Sequence, residues 1–314
     1  MLEIGGGGFH RYTGYGASGG GPTSEASKAV ASRLQLVRRI LKQTLIRAGD
    51  KGDPDIFGMS YNSARDELFV VDYNNRVVRA MRVCDNAGDL RDVYRAPHDT
   101  SPLIRCVCHM SDSDTLLVCS YETGPDGNYA KWLVALSRNG SEWREAQHVQ
   151  TDGYGAISCA LSDSRVLIGH GAIAYMELFR VESGPRIARV HRIHVPEEYR
   201  WFSATCDSDT LVAMSYPNTQ NNSVRVHRLR RDRLEELARI QLKEPERLLW
   251  LADRLLVADS NALIELEVSD TRLERLRELI AISENISVRS LCAVNDGLAI
   301  FDENSRDILH YSFA

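Results

Sequence analysis

A short apolar strand preceded by a polar turn recurs six times between residues 66 and 302. Self-similarity at a period of roughly 40–50 residues indicates repeated structural units, each of which buries its apolar face against its neighbours. This regularity leaves few folds open to a chain of 314 residues. The first apolar residues of the six copies are Leu68, Leu116, Val166, Leu211, Leu255 and Leu298, separated by 48, 50, 45, 44 and 43 residues.

Each repeat also contains the other strands that a propeller blade needs. A short apolar run precedes the marker strand, as in residues 104–108, and an alternating run follows it, as in residues 77–83. A more polar fourth run comes next, as in residues 187–195. Four antiparallel strands per repeat make one blade. The sequence therefore predicts an all-β fold, a six-bladed β-propeller over residues 48–314.

The segment before the repeats divides into two parts. Residues 1–23 contain nine glycines and few aliphatic residues, which predicts a flexible Gly-rich arm. Residues 24–47 carry apolar residues at steps of three and four, which favours a short helix, although residues 40–46 also have the composition of a strand. Since the sixth repeat ends after its third strand, we expect a helix near 24–39 and a ring-closing strand near 40–47.

Two repeats, the first and the fifth, have sequences that are similar to known propeller families. Residues 66–77 read DELFVVDYNNRV, and residues 255–260 read LLVADS. These segments resemble the repeats of the NHL family and, less closely, the tyrosine-tryptophan-threonine-aspartate repeats of lipoprotein receptors. The resemblance implies a six-bladed ring that binds protein, peptide or RNA on one face, and it implies no particular ligand.

A polar residue follows each marker strand at the same position. Asp and Ser at strand ends commonly accept hydrogen bonds from the backbone of the next turn, so a turn-capping role is favoured for this polar ring. Ligand contact by some members is the alternative. The polar ring consists of Asp72, Ser120, His170, Ser215, Asp259 and Asp302.

The loops after the polar ring differ most between repeats, and three of them begin with tyrosine. Tyr and Arg on variable loops of a rigid scaffold are the residues that protein interfaces favour. The sequence therefore favours a non-enzymatic interaction scaffold that binds a protein or peptide on the loop face, without a catalytic residue, metal or other cofactor. The predicted partner-binding residues are Tyr73, Arg76, Tyr121, Tyr129, Tyr216 and Arg306.

Two other functions remain open at this stage. A metal-dependent, gluconolactonase-like hydrolase could use Asp72, Asp259, Asp302 and His170 around a central divalent cation. An RNA-binding NHL-type propeller could use the basic run over residues 225–233. A net charge of −5 and the lack of interleaved aromatic residues in that run argue against nucleic acid.

Cysteine usage and hydropathy bear on the compartment. Seven cysteines occur without a C-x-x-C pair, so we expect free thiols rather than a disulfide framework. No apolar run approaches the roughly 18 residues that a membrane-spanning helix requires. We therefore expect a cytoplasmic or nuclear protein without membrane contact.

Overall fold

The fold was analysed in a computed structural model that describes residues 34–313. Within that range it leaves out residues 84–89, 97–102, 124–128, 153–155, 163, 171–174, 183–184, 196–202, 207–209, 218–221, 252–253, 261, 270–271, 282–285 and 296. The predicted arm, residues 1–23, lies outside the described residues, as do residues 24–33 of the predicted helix.

The described chain forms twenty-four strands and one short helix. Blade 1 contains β2 (Ile56–Asn62), β3 (Glu67–Asp72), β4 (Val77–Arg82) and β5 (Arg91–Arg95). Blade 2 contains β6 (Leu103–Met110), β7 (Thr115–Thr123), β8 (Tyr129–Asn139) and β9 (Glu142–Thr151). Blade 3 contains β10 (Ala156–Ser162), β11 (Arg165–His170), β12 (Tyr175–Glu182) and β13 (Arg186–His194).

The other three blades have the same plan. Blade 4 contains β14 (Ser203–Cys206), β15 (Leu211–Tyr216), β16 (Ser223–Leu229) and β17 (Leu234–Gln241). Blade 5 contains β18 (Pro245–Leu251), β19 (Arg254–Asp259), β20 (Ala262–Ser269) and β21 (Arg272–Ala281). Blade 6 contains β22 (Val288–Val294), β23 (Gly297–Asp302) and β24 (Ile308–Phe313), and its fourth strand is β1 (Leu34–Ile40). The helix α1 (Lys42–Leu45) follows β1.

Each blade is a four-stranded antiparallel sheet, and the six sheets form a closed ring. The first strands of successive blades contact each other in the order β2, β6, β10, β14, β18 and β22, and β22 contacts β2 again. Apolar side chains from neighbouring sheets fill the space between blades, as Phe69 and Val71 of blade 1 do with Val107 and Val118 of blade 2. The predicted six-bladed β-propeller is therefore confirmed.

The ring is closed by the N-terminal segment, but at a different place from the predicted one. Residues 34–40 pair antiparallel with β24, so the helix expected near 24–39 is wrong over its last six residues. The strand expected near 40–47 is also wrong beyond Ile40, because α1 occupies 42–45. The reason is that β24 presents unpaired backbone groups, and pairing with them outweighs the weak helical propensity of residues 34–40.

Five described cysteines form no disulfide bond and are buried in the first two strands of their blades, namely Cys106, Cys108, Cys119, Cys206 and Cys292. The side chain of Cys159 lies outside the described residues. Burial raises the pKa of the Cys292 thiol well above its usual range, so this group stays protonated. Among the described residues, no helix is long and apolar enough to cross a membrane.

Candidate functional site

One end of the ring, which we call the loop face, gathers the beginning of each first strand and the end of each second strand. Residues of the polar ring are paired there with the beginning of the neighbouring first strand. The pairs seen in four blades are Ile56 with Asp72, Ile104 with Ser120, Pro245 with Asp259 and Val288 with Asp302.

In these four blades the first strand carries a β-bulge directly after that pair. The skipped residue has no partner on the second strand, and bulges of this kind redirect a side chain out of the regular ladder. The four skipped residues are Phe57, Arg105, Glu246 and Arg289. A bulge at one position in four blades thus brings three charged groups to the loop face, and the fourth bulged residue, Phe57, is buried beneath one of them, Arg289.

Arg289 connects blade 6 with blade 1. Its guanidinium carbon lies 4.0 Å from the centre of the Phe57 ring, its Nε lies 3.8 Å from Asp55 Oδ1, and its Nη1 lies 3.9 Å from Glu303 Oε1. Arg306 Nη1 approaches the same Asp55 oxygen to 3.1 Å. Two arginines, two carboxylates and an aromatic ring therefore meet across the junction at which the ring closes.

Glu246 extends this cluster into blade 5. Burial raises the pKa of the Glu246 carboxyl, and the neighbouring Glu244 and Glu303 act in the same direction, whereas the positive charge of Arg247 opposes the shift. Arg247 Nε donates a hydrogen bond to the Arg289 carbonyl oxygen at 2.6 Å. Burial lowers the pKa of Arg247 to about 10, which still leaves it a cation at neutral pH.

Arg105 and three aromatic rings continue the site into blade 2. The Arg105 guanidinium lies 5.9 Å from the ring centres of Phe57 and Tyr73 and 5.1 Å from that of Tyr121. Its Nε and Nη2 donate to the Tyr121 hydroxyl oxygen at 3.2 and 2.9 Å. Burial raises the pKa of Tyr121 to about 12, so the phenol stays protonated. Phe57 stacks on Tyr73 with their ring centres 4.4 Å apart.

Three aspartates of the polar ring hold the turns of the loop face in place. Asp259 accepts hydrogen bonds from the backbone of Lys243 and Glu244, which precede β18. Asp302 accepts from the backbone of residues 287, 304 and 305. Asp72 accepts from the backbone of residues 55 and 75 and from the Arg79 guanidinium. The carboxylate oxygens of these three aspartates therefore accept hydrogen bonds mainly from the backbone N–H groups of turns.

The two serines and the histidine of the polar ring differ from the aspartates. The Ser215 hydroxyl is buried, accepts from the Ser203 backbone N–H and donates to the Glu246 carbonyl oxygen at 3.2 Å. Ser120 is buried and paired with Ile104. The backbone of His170 pairs with Ala156, whereas its side chain lies outside the described residues.

The six predicted partner-binding residues do not form one surface. Tyr73, Tyr121 and Arg306 belong to the cluster described above. Arg76 has a left-handed backbone, with φ at 54°, and closes the turn after β3. Tyr216 is fully buried, since its ring packs beneath the guanidinium of Arg225. Its hydroxyl lies 3.4 Å from His227 Nε2. Tyr129 begins β8, and its side chain is not among those described.

The donor groups for the predicted central cation are not gathered in the described part of the chain. No group of three or more His, Cys, Asp or Glu side chains there is arranged to hold a metal ion. Asp72, Asp259 and Asp302 use their oxygens on turn backbone instead. The described members of the predicted donor set therefore serve turns rather than a central cation, and the side chain of His170, its fourth member, lies outside the described residues.

Two of the five arginines in the basic run over residues 225–233 are paired with glutamates of their own blade. Arg225 is buried and its Nη1 lies 3.1 Å from Glu236 Oε2, while Arg230 Nε donates to Glu235 Oε2 at 2.8 Å. His227 is also buried. These contacts are internal to the hairpin of blade 4, and the RNA-binding alternative stays a prediction.

Sequence reasoning missed the charged residues of the bulges, Arg105, Glu246 and Arg289, and their neighbour Arg247. A signal for them was present. Each stands at the beginning of a first strand that is otherwise largely apolar. Because a charged side chain is rarely buried in a crowded inner strand, a charge at this position indicates that the backbone redirects the side chain.

Neither a protein-family profile nor a curated protein sequence matches the chain. Among solved structures, the PQQ-bound aldose sugar dehydrogenase from Streptomyces coelicolor has a TM-score of 0.57 at 10% identity, covering 90% of this chain and 98% of its own. A protein assigned as a 6-phosphogluconolactonase from Bacteroides fragilis NCTC 9343 has a TM-score of 0.54 at 13% identity, covering 73% and 70%. Raptor from Chaetomium thermophilum has a TM-score of 0.59 at 12% identity, covering 93% and 30%.

These likenesses show the fold, so the chain belongs to the class of six-bladed β-propellers. The resemblance to NHL and lipoprotein-receptor repeats stands only at the level of this ring architecture. The predicted non-enzymatic scaffold is contradicted by the comparison, in which aldose sugar dehydrogenases, a protein assigned as a glucose dehydrogenase and proteins assigned as 6-phosphogluconolactonases recur among the similar structures. At 8–13% identity these likenesses show the fold and assign no activity to this chain. The hydrolase alternative fits the comparison better.

Proposed function

We propose that the protein is a hydrolase that opens the lactone ring of an anionic sugar acid at the loop face, without a metal ion. The observation that carries the proposal is the arc of bulged residues at the loop face, in which the Glu246 carboxyl, whose pKa is raised, lies near Arg247 and Arg289, and Arg105 lies over the Tyr121 ring two blades further on. The similarity to proteins assigned as 6-phosphogluconolactonases supports the choice of substrate class.

The binding part of the site suits an anionic sugar. Guanidinium groups recognise carboxylate and phosphate oxygens through paired N–H donors, and Arg105 and Arg289 supply two of them, both partly exposed. Aromatic rings bury the apolar C–H face of a pyranose while leaving its hydroxyls to polar neighbours. Tyr73 and Tyr121, both partly exposed, form such a surface beside Arg105, and the buried Phe57 ring supports Tyr73 from below.

We assign the role of general base in the reaction to Glu246. In the proposed step the ionised Glu246 carboxylate takes a proton from a water molecule, whose oxygen attacks the lactone carbonyl carbon. The carbonyl oxygen becomes an oxyanion, and the guanidinium of Arg289 stabilises its charge. When the carbonyl re-forms, the bond to the ring oxygen breaks, and that oxygen takes the proton from Glu246. The product is the open-chain hydroxy acid.

The test is a pH-indicator assay of acid release from glucono-δ-lactone and from 6-phosphogluconolactone, with the Glu246→Gln variant as the main perturbation. Removing a general base lowers kcat by roughly 10²–10⁴-fold. Glu274→Gln is the matched control, since Glu274 lies exposed on the outer strand of the same blade and pairs with Arg272. Full activity is expected for the control.

Two results would count against the proposal. Wild-type protein that releases acid from neither lactone above the spontaneous rate would exclude this substrate class. Activity that survives Glu246→Gln but disappears on treatment with a chelator would place the reaction on a bound metal ion rather than on the carboxylate.

A further inference from the structure

A chain of hydrogen bonds between three side chains crosses the loop face from blade 2 to blade 1 and ends at Tyr73. It begins at Arg105, whose Nε and Nη2 donate to the Tyr121 hydroxyl oxygen at 3.2 and 2.9 Å. The Tyr121 side chain is in turn hydrogen-bonded to that of Tyr73. The proton transfers proposed above use neither tyrosine, so the function of this chain is open.

The direction of these hydrogen bonds follows from the donors and acceptors that each group has. A guanidinium only donates, so the Tyr121 oxygen accepts both bonds from Arg105. A phenol oxygen accepts two hydrogen bonds, and the two N–H groups fill both positions. The hydroxyl hydrogen of Tyr121 therefore points to the Tyr73 oxygen. In agreement with this direction, the bond to Tyr73 raises the pKa of Tyr121, since a phenol that donates loses the bond when it loses its proton.

The Tyr73 hydroxyl is the open end of the chain. Its oxygen accepts from Tyr121, which leaves one hydrogen to donate and one acceptor position. In the described part of the chain no second group is hydrogen-bonded to this hydroxyl, and the side chain is partly exposed. One donor and one acceptor on the same atom match a hydroxyl group of a sugar, which also donates once and accepts.

Phe57 places Tyr73 close to the groups to which the reaction is assigned. The Phe57 and Tyr73 rings are stacked with their centres 4.4 Å apart, and the Arg289 guanidinium carbon lies 4.0 Å from the centre of the Phe57 ring. One face of a ring cannot hold both groups at such distances, so Tyr73 and Arg289 lie on opposite faces of Phe57. A ligand whose carbonyl group lies at Arg289 can therefore present a ring substituent to Tyr73.

We infer that Tyr73 determines the specificity of the site by forming a hydrogen bond with a hydroxyl group of the sugar lactone. The inference rests on the lactone hydrolysis proposed above for the identity of the ligand. Arg105 and Tyr121 are positioning residues, because they hold the Tyr73 hydroxyl in one orientation. A site built to hydrogen-bond a substrate hydroxyl discriminates against an analogue that lacks it, since the polar group of the protein is then left without a partner.

The test compares glucono-δ-lactone with δ-valerolactone, which has the same lactone ring without hydroxyl groups. Tyr73→Phe removes the hydroxyl and keeps the aromatic ring that stacks on Phe57. We expect its kcat/KM for glucono-δ-lactone to fall roughly tenfold and its value for δ-valerolactone to stay at the wild-type level. Tyr121→Phe should cause a smaller loss on glucono-δ-lactone, because Tyr73 keeps its own hydrogen to donate. Equal losses on the two lactones, or a larger loss in Tyr121→Phe, would overturn the inference.

Tyr175→Phe is the matched control for the loss of a tyrosine hydroxyl beside an arginine. Tyr175 begins β12, is partly exposed, and has its ring centre 4.8 Å from the Arg192 guanidinium. It belongs to blade 3, where the ladder has no bulge at the loop face. The rates on both lactones are expected to be those of the wild type.

Calorimetric titration with gluconate, the open-chain product of glucono-δ-lactone, gives a readout that needs no turnover. Roughly tenfold weaker binding in Tyr73→Phe, with wild-type binding in Tyr175→Phe, would support the role of Tyr73. If neither lactone were hydrolysed in the same preparation, that binding result would count against the hydrolase and leave the specificity role in place. Unchanged gluconate binding in Tyr73→Phe, with hydrolysis of both lactones intact, would overturn the inference and leave the hydrolase in place.

Discussion

Replacement of Arg79 by methionine tests how the N-terminal segment is held on the ring. The Arg79 guanidinium donates to the Leu45 carbonyl oxygen at 2.6 Å, to Asp72 Oδ2 at 3.0 Å and to Asp92 Oδ1 at 3.2 Å, and it also contacts Asp50. Leu45 and Asp50 belong to the segment between β1 and β2. One buried side chain thus joins the closing segment, the polar ring and the outer edge of blade 1.

The expected loss in the free energy of unfolding follows from the carboxylates that Arg79→Met leaves without a partner. The side chains of Arg79, Asp72 and Asp50 are 1%, 0% and 2% exposed. Methionine fills most of the volume but leaves two carboxylates buried without a counter-charge, which costs about 3–5 kcal/mol in such pairs. Asp92 is 31% exposed and regains water, so it adds little. This loss is a large fraction of the roughly 5–15 kcal/mol that stabilises a typical protein.

The pH dependence gives the prediction a second readout. Burial already raises the pKa of Asp72 in the folded protein above its ordinary value, in spite of Arg79. Without Arg79 the shift grows. A carboxyl whose folded-state pKa is raised loses stability as pH rises from its unfolded to its folded pKa. Arg79→Met is therefore expected to be closer to wild type at pH 5 than at pH 8, and Asp72→Asn added to it should recover part of the loss.

The assay is urea unfolding, followed by far-UV circular dichroism and by tryptophan fluorescence, with coincident transitions as the requirement for a two-state analysis. Arg144→Met is the control, because its exposed pair with Glu142 contributes less than about 1 kcal/mol. A loss below about 1 kcal/mol in Arg79→Met, or a loss that does not change between pH 5 and pH 8, would refute the reasoning.

Three further predictions concern the site and the ring. Lactone hydrolysis should fall as pH drops through a pKa above 4.5, because the raised pKa of Glu246 sets the pH at which the base is ionised, and a kcat–pH profile checks this. Burial lowers the pKa of His227 to about 4, so folding stability should decline by on the order of 3 kcal/mol as pH falls from 6.5 to 4, a slope that His227→Gln removes in urea titrations. Ile40→Ala should cost about 2–5 kcal/mol in unfolding experiments and Val37→Ala less than about 0.5 kcal/mol, since Ile40 is buried and Val37 of the same strand is 54% exposed.

The ring could be predicted from the sequence because the marker strands repeat a pattern that is almost entirely apolar and ends in a polar residue. In these strands the local pattern indicates a buried strand, and a buried strand is what the fold contains. The local pattern and the fold disagree at residues 34–40, where steps of three and four suggested a helix and the vacant edge of β24 imposed a strand. A vacant edge is a property of the whole fold, so no local window of the sequence contains it.

The candidate site was harder to predict than the ring. Tyr73, Tyr121 and Arg306 were predicted because they stand in loop sequences, where aromatic and basic side chains are expected to be exposed. The structure places them in the cluster at the loop face, and their role in binding stays a prediction. Arg105 and Arg289 stand inside predicted strands, and their side chains reach the loop face because of β-bulges. The alternation of apolar and polar residues does not reveal a bulge, so it could not show which face these arginines occupy. Tyr216 was predicted to begin an exposed loop, but β15 continues through it and turns its ring into the core.

The distribution of the bulges explains why the site is one-sided in a ring of six similar blades. Blades 5, 6, 1 and 2 are consecutive around the ring and all have the bulge, whereas in blade 3 the ladder runs on from Ala156 to Ile157 without a skipped residue. The arc of bulged blades is centred on the junction between blades 6 and 1. A ligand of the site would therefore lie off the ring axis, above the point of closure.

Closure of the ring and shape of the site are consequently coupled. The turn that holds Glu303 and Arg306 ends at Asp307, whose Oδ1 accepts a hydrogen bond from the Lys42 backbone at 2.8 Å and whose Oδ2 lies 3.7 Å from Arg39 Nη1. Both partners belong to the closing segment. Because that segment fixes the turn from outside the site, loss of β1 pairing should loosen the Arg306 to Asp55 contact before the blades themselves separate.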